Sequence, residues 1–215
     1  MRELWLKELE LLRGELHNLK HCQISFLTMS VTASTVLLGL AMKLSKGNNN
    51  PSLYLIPLLL VIPAWWVFFD KATTITRIVG YYKILESMHI NENKYNYYGW
   101  EKSLEIFRLN QETGNLIWPE YLKNRTWKNM FSIIFFRTTH RYWVLNYYVY
   151  FGLSLVSLSM YFKNASELFT MAGIFGISFV LLSALWNFRM TWHLIYGKYS
   201  YRANTYFWDR ILRIN

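Results

Sequence analysis

The chain has 215 residues, of which 53% are hydrophobic, 19% aromatic and only 17% charged, with a formal net charge of +10. That is more apolar than a soluble domain of this size needs to be, and the charge is clustered, which points to a membrane class. A single cysteine, Cys22, excludes an intrachain disulfide, and nothing requires an oxidising compartment.

Four intervals contain no Asp, Glu, Lys or Arg: Cys22–Met42, Gly47–Phe69, Tyr142–Phe162 and Leu168–Phe188, of 21, 23, 21 and 21 residues. Each is long enough to cross a hydrocarbon core about 30 Å thick as a helix. The expected fold is therefore an all-α integral membrane protein. Its four transmembrane helices form two hairpins, and the helices extend into a cytoplasmic helical bundle. Three regions follow: 1–88, an amphipathic helix and first hairpin with spans at about 22–44 and 52–70; 89–141, a cytoplasmic helical and loop insert; and 142–215, a second hairpin with spans at about 142–162 and 168–188 followed by a C-terminal cytoplasmic helix.

Chain order begins with "RELWLKELELLRGELHNLKHCQISF". Trp5, Leu9, Leu12, Leu16, Leu19, Gln23 and Phe26 are separated alternately by four and three residues, a heptad seam. Ser30, Ala33, Leu37, Leu40 and Leu44 continue that register, so residues 2–44 read as one rod of roughly 65 Å at 1.5 Å per residue. The seam packs either inside one subunit, on the extensions of later spans, or against another copy. About twenty residues with four acids precede the first apolar interval, and there is no basic n-region or small-residue cleavage pattern, so a retained span is expected rather than a cleaved signal. His17 and His21, at i and i+4 beside Cys22, could face one metal ion, but no acidic motif accompanies them and no metal site or cofactor is expected.

On another face of span one lie Ser25, Thr28, Thr32, Thr35 and Gly39, spaced three, four, three and four. Hydroxyls can return a hydrogen bond to their own helix, so this stripe suits lipid or a second helix; ring-like arrays of hydroxyls also line paths through oligomers. It is a candidate lumen or helix-packing surface.

"KLSKGNNNPS" joins spans one and two, and Pro57 and Pro63 predict a bent second helix. Trp65 and Trp66 fit an interfacial belt at its cytoplasmic end, after which Ile75, Ile78, Val79, Tyr82 and Leu85 keep helical spacing. In the insert, "NENKYNYYG" reads as a loop, "WEKSLEIFRL" as a short amphipathic helix, "NQETGN" as a turn and "WPEYLKNRTWKNMFSIIFF" as a helix ending in an interfacial segment. About fifty residues cannot build a second core, so the insert should pack on the helix extensions. Arg125, Lys128, Arg137 and Arg141 alternate there with Trp127, His140 and Trp143. This pattern suits either anchoring to anionic headgroups or a pocket for a nucleotide messenger or other anionic partner. After span four, Trp192, Ile195, Tyr199, Ala203 and Tyr206 predict a continuing helix.

Twenty of the twenty-three basic residues fall in 1–21, in 70–141 and after Phe188, leaving only Lys43, Lys46 and Lys163 in the two short connections. The positive-inside rule then places both termini in the cytoplasm of a cell whose inner membrane holds the protein, and it explains the basic charge without direct nucleic-acid binding. No acid or base lies inside an uncharged interval, which argues against an ion-coupled transporter. There is no phosphate-binding glycine loop, HExxH or nucleophile elbow, and no enzyme activity is expected.

"ELLRGELHNLKHCQISFLTMSVTASTVLLGLA", "LIPLLLVIPAWWVFFDKATTITRIVGYYKILE" and "YGWEKSLEIFR" together resemble small bacterial few-span membrane effectors of conflict and anti-phage systems, SLATT-like and related, over about the first 110 residues. The resemblance implies a homo-oligomer in the lipid bilayer, assembled on a signal from a cytosolic protein partner or messenger, that permeabilises the inner membrane. The chain departs from two-span members by a second hairpin after a long insert. A membrane-anchored sensor or scaffold that recruits a soluble effector is the alternative from a different class.

Overall fold

A computed structural model of the chain describes residues 2–48, 50–90, 96–113, 141–165 and 170–213. Among these the regular elements are all helical: α1 (Arg2–Asn48), a short 3-10 turn (Pro51–Leu55), α2 (Leu58–Ile90), α3 (Trp100–Glu112), α4 (Arg141–Asn164), α5 (Met171–Ile195) and α6 (Tyr201–Leu212). Leu6–Leu44 of α1, Pro51–Met88 through the 3-10 turn and α2, and Met171–Ile195, the whole of α5, are long and apolar enough to cross a membrane, which points to a membrane protein.

The charge-free intervals predict four such helices, and among the described residues three qualify. The third interval is helical as α4, but Asn146, four tyrosines between 142 and 150 and three serines between 154 and 159 lower its apolar content.

Prolines and glycines set the boundaries. Pro57 stands one residue before α2, where its missing N–H costs nothing and its carbonyl accepts from Leu60 and Val61, while Pro63 lies inside the helix. Asn50 caps the 3-10 turn by accepting from the Ser52 N–H at 3.1 Å. α3 begins after Gly99, whose φ of +79° belongs to the left-handed region that favours glycine.

Two departures from expectation concern helix ends. "NQETGN" is not a turn from its first residue: α3 runs through Glu112, with Asn110 bonded back to the Ile106 carbonyl at 2.9 Å and the helix closing at Thr113. The helix predicted to continue through Tyr199 stops at Ile195. There Gly197 and Tyr199 both donate to the His193 carbonyl, and Ser200 caps a new helix by accepting from the Ala203 N–H at 3.3 Å.

The chain divides into two compact units. The first is made from Met1–His21, Ala72–Ile133 and Trp192–Asn215, the second from Cys22–Lys71 and Ile134–Thr191. The first unit packs one apolar core from four helices: Leu12 of α1; Ile78, Tyr81, Ile84 and Leu85 of α2; Phe107 of α3; and Ala203, Phe207, Trp208 and Leu212 of α6. α3 thus shares the core of the helix extensions instead of building its own. Trp208 is fully buried, meets the Phe107 ring at a tilt with centroids 4.7 Å apart, and donates its indole N–H to the Arg77 carbonyl at 3.0 Å.

The second unit buries two apolar clusters, Leu38, Ala41, Tyr54 and Tyr161, and Leu58, Ile62, Leu158 and Val180. The same unit holds an aromatic layer in which Trp65 meets Tyr147 at 5.2 Å and Tyr150 at 6.0 Å. Of the tryptophan pair expected at an interface, only Trp66 points outward, at 43% exposed, whereas Trp65 is fully buried. Consecutive helical residues lie about 100° apart, so two neighbours cannot both face outward unless the exposed arc is wide. Trp143, expected among the basic anchors, is also buried, against Phe68 at 6.3 Å.

Candidate functional site

Along α1 the seam is the buried side. Leu12 is 2% exposed, Leu9, Leu16 and Leu19 pack against the same core, and Gln23, 1% exposed, donates to the Phe68 carbonyl at 2.9 Å. Phe26 is half-buried, and the side chain of Trp5 lies outside the described residues. Beyond Phe26 the buried positions are Ser30, Ser34, Leu38 and Ala41, while Leu40 and Leu44 are exposed. The predicted heptad register therefore fails over the last turns of the rod.

The stripe of Ser25, Thr28, Thr32, Thr35 and Gly39 lies on the exposed side. Thr28 and Thr35 return their hydroxyl hydrogens to the carbonyls of Ile24 and Val31 at 2.9 and 2.8 Å, which lets them face an apolar medium. A side chain added at Gly39 would meet nothing within 4 Å. Of the basic set, Arg141 is exposed at the start of α4, and Arg125, Lys128 and Arg137 lie outside the described residues.

The most polar ground is inside the second unit. α4 buries Asn146, Tyr150, Ser154 and Ser157 on one face; α5 buries Ser183, Asn187 and Thr191; α1 contributes Gln23, Ser30 and Ser34. Several satisfy themselves within their own helices: Ser30 donates to Phe26, Asn146 to Tyr142, Ser154 to Tyr150, Asn187 to Ser183 and Thr191 to Asn187. Among the described residues of this unit, Ser34 Oγ, Trp65 Nε1, Ser157 Oγ, Ser183 Oγ and Asn187 Oδ1 are buried with no hydrogen-bond partner, while the Tyr150 hydroxyl pairs with Ser30.

Apart from the hydroxyl stripe of α1, the outer surface of this unit carries large apolar side chains. Leu155, Val156, Ile174, Phe175, Leu182 and Leu185 are all exposed, by 44% to 71%. Sequence reasoning placed the polar path on the hydroxyl stripe and missed this interior. Its signal is the spacing of Asn146, Tyr150, Ser154, Ser157 and Tyr161, by four, four, three and four, which keeps them on one face of α4.

The first unit holds a groove of about 490 Å³ between Glu8, Leu11, Leu12 and Glu15 of α1 and the stretch from Tyr98 to Lys102 at the start of α3. Glu8 accepts from the Tyr81 hydroxyl at 3.5 Å. Burial, and then the hydrogen bond and negative charge of Glu8, push the Tyr97 hydroxyl above its ordinary range. Leu11 stands 74% exposed beside Glu8 and Glu15.

Comparison with known proteins adds no relative: no protein-family model, curated protein or solved structure matches the chain.

Proposed function

We propose that the protein is an oligomeric membrane effector whose second unit sits in the bilayer as four spans, α4 included, and forms or gates a conductive path. The supporting observation is the apolar outer surface of the second unit, where Leu155, Val156, Phe175, Leu182 and Leu185 are exposed while Asn146, Ser154, Ser183 and Asn187 are buried with its apolar clusters. A soluble unit of this size would gain from the opposite arrangement, whereas an apolar outside costs nothing in lipid. α4 fits as the fourth span because its polar residues face the other helices: Tyr147 donates to the Ala184 carbonyl of α5 at 3.3 Å, and Trp65 of α2 stacks on Tyr150.

In this reading the membrane is a bacterial inner membrane, both termini are cytoplasmic, and the first unit together with Arg125, Lys128, Arg137 and Arg141 meets anionic lipid, a messenger or a cytosolic partner. The small stripe on α1 gives copies a surface for close approach or a lumen wall. The biological setting, stopping growth of an infected cell, is the one implied by the resemblance to few-span anti-phage effectors.

The test is inducible expression in bacteria with a potential-sensitive dye, paired with ion flux through liposomes holding the purified protein. Depolarisation and flux are expected. Stable co-purification of a soluble protein with no flux would instead favour the membrane-anchored scaffold. That second reading is favoured by one observation, the acidic and aromatic groove with Leu11 exposed at its edge.

A further inference from the structure

The exposed ground of the first unit carries a charge pattern of its own. The groove between α1 and the start of α3 shares Glu101 and Lys102 with a second, open depression of about 700 Å³ that follows α3 past Glu105 and Leu109 to Glu112. Glu101, Glu105, Leu109 and Glu112 stand at i, i+4, i+8 and i+11, one face of the helix, while Ser103, Leu104 and Phe107 on the other side are buried. With Glu8 and Glu15 of α1 the strip holds five carboxylates against two cations, Lys102 and Arg108, on a chain whose net charge is +10. Among the described residues none of the five is ion-paired: Lys102 instead holds its ammonium over the Tyr98 ring, 5.6 Å from the centroid.

Apolar anchors alternate with these charges. Leu11 is 74% exposed between Glu8 and Glu15, and Leu109 is 59% exposed between Glu105 and Glu112. Leucine in water forgoes the gain of burial, and carboxylates at i and i+4 repel one another, so both features are unfavourable in the chain by itself. Both become favourable against a surface of opposite order, with basic groups at the carboxylates and apolar side chains over the leucines. Anionic lipid and nucleic acid are repelled by such a strip. A small organic cation would cover only part of it, since Glu101 to Glu112 alone spans roughly 17 Å at 1.5 Å per residue. A helix with apolar residues along one face and lysines or arginines beside them fits both the length and the sign.

We propose that this strip of α1 and α3 is the docking site for a basic amphipathic helix of a partner polypeptide. Glu15, Glu101, Glu105 and Glu112 take its lysines or arginines, and Leu11 and Leu109 take its apolar face. The inference deepens the scaffold reading, on whose cytosolic partner it rests, by giving that partner a charge and a shape.

The probe is a fluorescein-labelled amphipathic peptide of leucine and lysine, titrated by fluorescence anisotropy against the full chain in phosphatidylcholine nanodiscs, with empty nanodiscs as the blank. Binding above the blank is expected, weakening as salt is raised, and the same peptide with glutamate for lysine should not bind. The triple variant Glu15→Lys, Glu101→Lys, Glu105→Lys, checked for unchanged helicity by circular dichroism, should bind about tenfold more weakly or worse. Leu11→Ala with Leu109→Ala should weaken binding several-fold. The control triple Glu3→Lys, Glu10→Lys, Glu86→Lys makes the same change in net charge at exposed acids outside the strip and should bind as the parent does.

Equal weakening in the strip and control triples overturns the proposal, because net charge and not the strip would then decide binding. Self-association of the parent by light scattering that the strip triple loses and the control triple keeps also overturns it, by giving the strip to a second copy. Binding no tighter than to empty nanodiscs overturns the docking strip, while the scaffold reading would still stand on co-purification of a soluble protein. Charge-dependent binding upholds the strip whether or not the liposomes conduct, so ion flux decides the pore reading separately.

Discussion

Gly80 shows how closely the first unit is built. A Cβ there would lie 2.8 Å from Cβ of Asn204 and 2.9 Å from its carbonyl carbon, so α2 and α6 touch backbone to backbone at this point. Gly80→Ala should cost about 1–3 kcal/mol, the usual penalty for overpacking, read as a lower melting temperature by circular dichroism. Asn204 itself donates to Thr76 Oγ1 at 3.4 Å and to the Ser200 carbonyl at 3.2 Å, which fixes the partner that Gly80 admits. At Tyr97 the shift has a sign that can be tested. Its folded hydroxyl loses its proton above the ordinary value of 10, so the stability it contributes is complete below that pH and is lost as the pH rises through the folded value. Tyr97→Phe should therefore flatten the alkaline limb of a stability-against-pH curve. A Tyr97→Phe curve identical to the parent's would remove the shift as a factor. None of this is visible in the sequence, because Gly80, Asn204 and Glu8 are far apart along the chain and look ordinary where they stand.

α1 shows what periodicity does and does not carry. A straight α-helix drifts by roughly 20° per heptad against a 3.5-residue repeat, so over the four heptads from Leu12 to Leu40 the buried line moves by nearly one position. The buried residues follow that drift: Leu12, Gln23, Ser30, Ser34, Leu38 and Ala41, with Leu40 left 50% exposed. Leu38→Ala should then lower thermal stability measurably, while Leu40→Ala should leave it within about 0.5 kcal/mol. Equal losses at both positions would restore the heptad register. The break between α5 and α6 was legible in principle. "YGKYS" offers a glycine at a helix end and a serine cap at the next start, yet the aromatic spacing from Trp192 to Tyr206 outweighed it. The structure resolves the conflict by burying Ala203, Asn204, Phe207 and Trp208, and leaving Tyr206 half-buried at the edge of the core.

For the whole chain, the second unit encloses all four uncharged intervals. The proposed topology follows from the placement of the basic residues. Alkaline phosphatase inserted in the 45–50 connection should be active in the periplasm, and the same reporter fused after Asn215 should be inactive. Activity at both positions would separate the termini from the cytoplasm. By itself the sequence determined the class, the approximate limits of the apolar helices and the asymmetry of charge, since these depend on composition summed over about twenty residues at a time. Only the tertiary structure decided which face of each helix is interior. In an apolar span, serine and threonine can satisfy themselves on their own carbonyls, so a hydroxyl stripe fits lipid, a neighbouring helix or water equally well. The stripe on α1 ended outside, and the serines and asparagines of α4 and α5 ended inside. That difference arises from which neighbours fill each face, and no single helix contains that information.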